Sequence, residues 1–233
     1  MKKHYFLVFA LLFVAGLYNQ LTAQNCTFYF PVKVGTELEM KHYGKKDKLE
    51  STSYQKVMKV SSTGRDMSVD VEIRSLDEKG KEQYKKVVPI QCKNGVFVMN
   101  MKDFMPDNAK LEGMQGMDIK VSGTDMVIPG NLSVGQNLAD AEMKISVMSN
   151  GMAIMNMTTN CTNRKVAAYE KITTPAGTFD CYKITMDLSM KTMGTMKMKM
   201  IQWMAKDVGA VRMENYDKDD KLQGYSILTA IKN

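Results

Sequence analysis

The chain is poor in the residues that most often carry chemistry: its 233 residues include two histidines, four cysteines, one tryptophan and five prolines. One histidine, His4, lies in an N-terminal segment read below as cleaved, which leaves His42. A Ser-His-Asp or Cys-His arrangement would have to be built on that residue. It stands in Lys41-His42-Tyr43-Gly44 at an expected strand end, where a solvated side chain is the plainer expectation. No Gly-x-Ser-x-Gly, no His-Glu-x-x-His, no glycine-rich phosphate loop and no calcium loop with its closing glutamate is present. The acids around Lys218-Asp219-Asp220 read as a hairpin turn, not as a calcium site. The sequence offers no catalytic residue, no metal site and no cofactor signature, and the expectation is a protein that is not an enzyme.

Arginine is also scarce. Arg65, Arg74, Arg164 and Arg212 are the four, and the remaining basic residues are lysines scattered among acids, as in Glu78-Lys79-Gly80-Lys81-Glu82. A nucleic-acid reader clusters Arg and Lys on one face beside stacking aromatics, and nothing here does so. The formal charge of +7 therefore reads as ordinary mixed surface, and it falls by two when Lys2 and Lys3 leave.

Long apolar runs are missing as well. The longest, Tyr5 to Leu17, is about 13 residues, short of the roughly 20 that a membrane-spanning helix needs. Preceded by Lys2 and Lys3 and followed by Tyr18-Asn19-Gln20-Leu21-Thr22-Ala23, it has the order of a secretory signal peptide, residues 1–23, cleaved after Ala23. Lipidation would need a small residue directly before a cysteine, and Cys26 follows Gln24 and Asn25. The expected address is the exterior of a Gram-negative cell, periplasmic or secreted, with no transmembrane span after cleavage. All four cysteines, Cys26, Cys92, Cys161 and Cys181, lie in the exported part, where disulfides form. Cys26 to Cys92 is the favoured pairing, with Cys161 and Cys181 paired or free. No CxxC occurs, which removes zinc-ribbon and thioredoxin-like readings.

What is abundant is alternation. Val57-Met58-Lys59-Val60, Met67-Ser68-Val69-Asp70-Val71-Glu72-Ile73, Met143-Lys144-Ile145-Ser146-Val147 and Met196-Lys197-Met198-Lys199-Met200 each put apolar side chains on one face of a strand. Turn clusters separate such segments, at Ser61 to Gly64, Asp77 to Gly80, Thr174 to Gly177 and Asp217 to Asp220. The expected fold is mainly β: an antiparallel curved sheet or open half barrel built from consecutive hairpins. One short helix is expected near the middle, over Asp103 to Met117, opened by Pro106. Residues 24–233 read as a single domain. Val34-Gly35-Thr36-Glu37-Leu38 recurs as Val134-Gly135-Gln136-Asn137-Leu138, and Lys56-Val57 as Lys165-Val166. Two related halves, 24–125 and 126–233, and convergent hairpin chemistry both stay open.

The run Ile172-Thr173-Thr174-Pro175-Ala176-Gly177-Thr178-Phe179-Asp180-Cys181-Tyr182-Lys183-Ile184, then Trp203 to Val211, then Tyr216 to Ser226, resembles the exported bacterial proteins grouped as domain of unknown function 3108. The likeness is best over residues 130–230. It implies a β-rich envelope protein and supplies no catalytic or binding residues. At the level of shape it is reminiscent of half-barrel carriers that move lipoproteins across the periplasm, an analogy of fold alone.

Methionine is the unusual count, at 23. The candidate ligand-binding residues are Met143, Met148, Met155, Met157, Met190, Met193, Met196, Met198, Met200 and Met204, with Trp203. Methionine is flexible and polarisable and suits adaptable apolar surfaces, so one reading is a face for a lipid, an acyl chain or a hydrophobic segment of an envelope partner. A second reading is a soft-metal site for Cu(I), which thioethers suit. A third is that methionine fills core positions of a structural or interaction module of the envelope. The first is the expectation carried forward. Whether these faces line an open groove or a closed core decides among them.

Overall fold

The computed structural model describes residues 27–104 and 117–233. Thirteen strands form one antiparallel sheet: β1 Glu37–Tyr43, β2 Leu49–Thr63, β3 Asp66–Asp77, β4 Glu82–Lys93, β5 Val96–Met99, β6 Asp118–Gly123, β7 Met126–Pro129, β8 Ala141–Ser149, β9 Met152–Thr174, β10 Gly177–Lys191, β11 Thr195–Ala205, β12 Gly209–Asp217 and β13 Leu222–Lys232. Their spatial order is β6-β8-β9-β10-β11-β12-β13-β1-β2-β3-β4-β5-β7. Two hairpin runs, β1 to β5 and β8 to β13, join where β13 pairs with β1.

The alternation seen in sequence sets the inward side. Val69 and Val71 are fully buried while Ser68, Asp70 and Glu72 between them are not, as a period of two requires. Inward residues from both runs, among them Leu38, Val57, Val88, Ile184, Val211 and Leu228, belong to one buried cluster. A sheet this wide can bury a single cluster on one side when it wraps around it. Phe28, Tyr29 and Phe30 fill that cluster from the N-terminal side, and the Phe28 ring meets Phe97 edge-on at 5.4 Å.

The ladder does not close, yet both of its edges are the same piece of chain. β6 pairs with β8 and β7 with β5, and Thr124 and Asp125 are all that separate them. Each edge strand thus pairs across the 125/126 boundary of the two expected halves. The pivot is Gly123, whose φ of +144° and approach to Glu142 leave no room for a side chain: a Cβ there would stand 2.0 Å from the Glu142 carbonyl oxygen. Thr124 N–H donates to that same carbonyl, and Glu142 N–H donates to Thr124 Oγ1, each at 2.9 Å. Among the described residues, β5 pairs with β4 only from Gln91 to Lys93, and the outer side of β4 below Gln91 lies beyond its reach. Pro89, which has no N–H to give, occupies that stretch.

The recurring pentapeptide forms the same arm twice. Gly35 N–H donates to Val57 O and Val57 N–H to Thr36 O, both at 2.9 Å; Gly135 N–H donates to Val166 O at 2.8 Å and Val166 N–H to Gln136 O at 2.9 Å. The acidic turns also match bond for bond. Asp77 Oδ1 accepts from Lys79 and Lys81 N–H, and Asp217 Oδ1 from Asp219 and Lys221 N–H. The arm stands at the first two strands of each run, β1 with β2 and β8 with β9, whereas the turns stand at different places in the runs, joining β3 to β4 and β12 to β13.

Two expectations need correction. The short helix over Asp103 to Met117 is not found among the described residues, whose helical pieces are two 3-10 turns, Lys45–Asp47 and Met101–Phe104; residues 105–116 of that stretch lie outside them. Asn100 supports the second turn, its side chain accepting from Lys102 N–H at 3.1 Å and its carbonyl from Asp103 N–H at 3.0 Å. Such local bonding suits a tight 3-10 turn. His42 stands at the expected strand end, next to last in β1, but its side chain is half-buried and not solvated. Ser226 Oγ lies 2.7 Å from its Nδ1 and Ser53 Oγ 2.8 Å from its Nε2.

Candidate functional site: a methionine-bearing face

Register decides which methionines meet. Across β10 and β11, Met186 pairs with Met200, Leu188 with Met198 and Met190 with Met196. Across β9 and β10, Leu188 pairs with Cys161 and Met190 with Thr159. Across β8 and β9, Ala141 pairs with Cys161, Met143 with Thr159, Ile145 with Met157 and Val147 with Met155. Directly opposed residues in an antiparallel ladder share a face, so these side chains form one apolar surface over four strands. It continues the core side of the sheet: Met186 and Cys161 are in the buried cluster, and Met200 packs against it. From there the surface runs out toward the hairpin ends, where Met155 is 41% exposed and Met196 57%.

The remaining candidates fall elsewhere. Met204 is core. Met148 follows a register shift and pairs with Ala153, on the face away from Val147. Met193 is at the tip of the β10–β11 turn and fully exposed. Trp203 alternates away from Met200 and Met204; its indole N–H donates to Glu170 at 2.6 Å, and Lys183 lies over its ring at 5.2 Å. The tryptophan is thus occupied with its own polar partners. Residues the sequence reading passed over complete the face: Ile145, Val147 and Leu188, and Ile119 and Val121 on β6, which pair with Val147 and Ile145. The alternation in Asp118-Ile119-Lys120-Val121 was the available signal.

Sulfur meets sulfur at the inner end. Cys161 Sγ donates to Met186 Sδ at 3.3 Å. Burial pushes the Cys161 thiol up, against the pull of nearby Arg164. Cys181 is pushed up to about 11, again by burial first, with Asp180 and Glu170 adding. Both are free and buried. Cys26 lies outside the described residues, and so does the expected Cys26 to Cys92 pairing. Among the described residues, no group of three or more His, Cys, Asp or Glu is placed to hold a metal ion. His42 has two hydroxyl neighbours, and desolvation lowers its pKa.

A half-open groove of about 370 Å³ is bordered by Asn163, Asp187, Lys199, Tyr216 and Asp220 together with Thr185, Met186, Met200 and Ile201. Lys199 donates to Asp220 at 2.6 Å, Asn163 to Asp187 at 2.7 Å and the Tyr216 hydroxyl to Glu214 at 2.6 Å, so these polar groups have partners. No helix among the described residues is long and apolar enough to cross a membrane.

An unclosed antiparallel sheet wound round one core, with an apolar face running out along four strands, defines a mainly β domain. The family model described as DUF3108-like matches residues 33–228, and the chain belongs to that family. Two crystal structures are similar over 89% of this chain and all of theirs, each with a TM-score of 0.73. One is a protein from Bacteroides fragilis inferred to be exported, with a YmcC-like fold, 25% identical. The other is a protein from Parabacteroides distasonis inferred to be a lipoprotein, 26% identical. These assignments agree with the export address read from Lys2 to Ala23. No curated protein matches the chain.

Proposed function

We propose that this is a non-catalytic protein of the cell envelope that holds an apolar ligand, an acyl chain of a lipid, against the methionine-bearing face of β8 to β11. The observation behind this reading is the cross-strand register, which gathers Met143, Met157, Met190, Met196 and Met198 onto one incompletely buried surface continuous with the core. Methionine side chains repack at little cost around ligands of varied shape. The outward address of the relatives supports a compartment in which lipids are handled.

The second reading is an envelope interaction module in which methionine is core, and Met40, Met186 and Met204, each at most 4% exposed, favour it. Soft-metal binding has in its favour the contact of Cys161 with Met186. The Cys26 to Cys92 bridge and the descent of residues 24–125 and 126–233 from one unit belong to the same set of proposals.

The test is native mass spectrometry of protein purified from the periplasm. A co-purifying lipid mass, lost when Met190 and Met198 are replaced by Ser, is the expected result. A clean apo mass with no shift on adding Cu(I) overturns both ligand readings and leaves the interaction module. Non-reducing peptide mapping tests the bridge.

A further inference from the structure

The long hairpins end in steps. β12 stops at Asp217, opposite Met198, so β11 runs on unpaired on that side to Thr195. β10 stops at Lys191, opposite Thr158, so on that side β9 runs on without a partner strand to Met152, although β8 pairs with it on the other side. The β10–β11 tip therefore outruns β12 and the β8–β9 tip outruns β10, while β6 accompanies β8 as far as Met148. Their side chains are Met152 (70% exposed), Ile154 (55%), Met155, Met193 and Met196, the largest concentration of exposed bulky apolar side chains in the described residues. Ordinary soluble surfaces avoid such clusters.

The two hairpins themselves carry charge of one sign, while on the flanking strands Asp118 stands opposite Met148 and Asp217 opposite Met198. No Asp or Glu occurs from Met143 to Tyr169 or from Leu188 to Lys206. Lys191 and Lys197 are exposed at the tips, whereas Lys199 and Lys144 farther back are bridged to Asp220 and Glu142. Apolar side chains ringed by lysine are what an anionic bilayer surface accepts. The chains enter the interfacial zone, and the ammonium groups meet phosphates. We infer that the β8–β9 and β10–β11 tips form a docking surface for an anionic lipid bilayer. The occupant is the membrane surface itself, since a protein groove would need a complementary shape that two staggered tips do not present. The inference does not depend on the methionine face holding a ligand.

The test is co-sedimentation of the full-length mature chain with vesicles of phosphatidylglycerol and phosphatidylcholine, beside vesicles of phosphatidylcholine alone. Binding is expected for the anionic vesicles, weakened at about 1 M salt, where the Debye length is roughly 3 Å. The variant Lys191→Glu with Lys197→Glu should bind on the order of tenfold or more weaker, at roughly 1 kcal/mol per lysine before reversal. Met152→Ser with Met193→Ser should also weaken binding. Both pairs are exposed, and unchanged thermal midpoints verify their folding. Absence of binding to anionic vesicles, or equal binding by wild type and both variants, overturns the inference. So does a wild-type dimer that dissociates in the tip variants without any vesicle binding, which would assign the tips to a second copy. Vesicle binding by a protein that is apo in native mass spectra would overturn the ligand reading and leave this one standing.

Discussion

Arg164 Nη1 donates to the carbonyl of Ala139 at 2.5 Å, from a guanidinium that is 2% exposed. Nη2 reaches the Val127 carbonyl at 3.2 Å, and Nε has no partner. The residue sits beside Asn163, whose positive φ of 53° marks the irregularity in β9 between Thr162 and Lys165. One side chain therefore ties the long β9 to β7 and to the loop before β8, where the sheet's own ladder stops. Burial lowers its pKa by disfavouring the cation. Charge-assisted bonds to carbonyls offset that cost.

Arg164→Ala should cost about 3 kcal/mol, the sum of lost charge-assisted bonds and a cavity. Arg164→Lys should recover little, because an ammonium cannot fork to two carbonyls as a guanidinium does. Urea unfolding followed by circular dichroism measures both. A cost below about 1 kcal/mol would show that the tie is ornamental.

His42 gives a pH dependence of known sign. Desolvation depresses its folded pKa below the ordinary histidine value of about 6.5, so the native state favours the neutral ring. The unfolded chain binds a proton at 6.5 and the folded one at lower pH, which makes the unfolded state the more protonated within that window. Stability from this residue is complete above pH 6.5 and declines as pH falls through the folded pKa. Denaturation midpoints across mildly acidic pH should fall for wild type, and His42→Gln should flatten that part of the curve.

Cys161 and Cys181 should resist alkylation by iodoacetamide in the native protein, since burial raises both pKa values and blocks approach. In denaturant both should label within the time of an exposed thiol. Mass spectrometry counts the adducts, and labelling of the native protein at neutral pH would contradict the buried placement.

Gly123→Ala should be more harmful than Gly151→Ala. Both positions have positive φ, but a Cβ at residue 123 meets backbone of Glu142, whereas one at residue 151 meets nothing within 4 Å. The tip variant should lose about 1 kcal/mol from backbone strain alone. The pivot variant should lose more, because the β6–β8 pairing must shift. Thermal midpoints of the two variants give the comparison, and equal losses would remove the close approach as the cause.

The strands were legible wherever apolar and polar residues alternate, as at Met67 to Ile73 and Met196 to Met200, because period-two burial is written locally. Turns such as Asp77 to Lys81 were legible for the same reason: the carboxylate, the amides it caps and the positive φ at Gly80 lie within five residues. The buried pairing of His42 with Ser226 was not legible, since 184 positions separate the two. Nor was the role of Arg164, which reads as one of four ordinary arginines until the path of residues 126–139 is known. For the methionines, alternation marks the faces of single strands and cannot say which strands stand side by side. Trp203 was grouped with them by proximity in sequence, and alternation with the register of β10 and β11 carries it to the other side.

The amino-acid sequence by itself determined an outward address, a β-rich antiparallel architecture, hairpin turns and the scarcity of histidine and arginine, all of which depend on composition or on neighbours within a few residues. Tertiary structure decided that Met143, Met157, Met190 and Met198 share one face, that β6 and β7 bind opposite ends of the sheet, and that two hairpins outrun their neighbours. Those outcomes depend on the register between strands far apart in the chain. A slip of one residue would send every one of those methionines to the opposite face, and no local pattern records which register the folded sheet adopts.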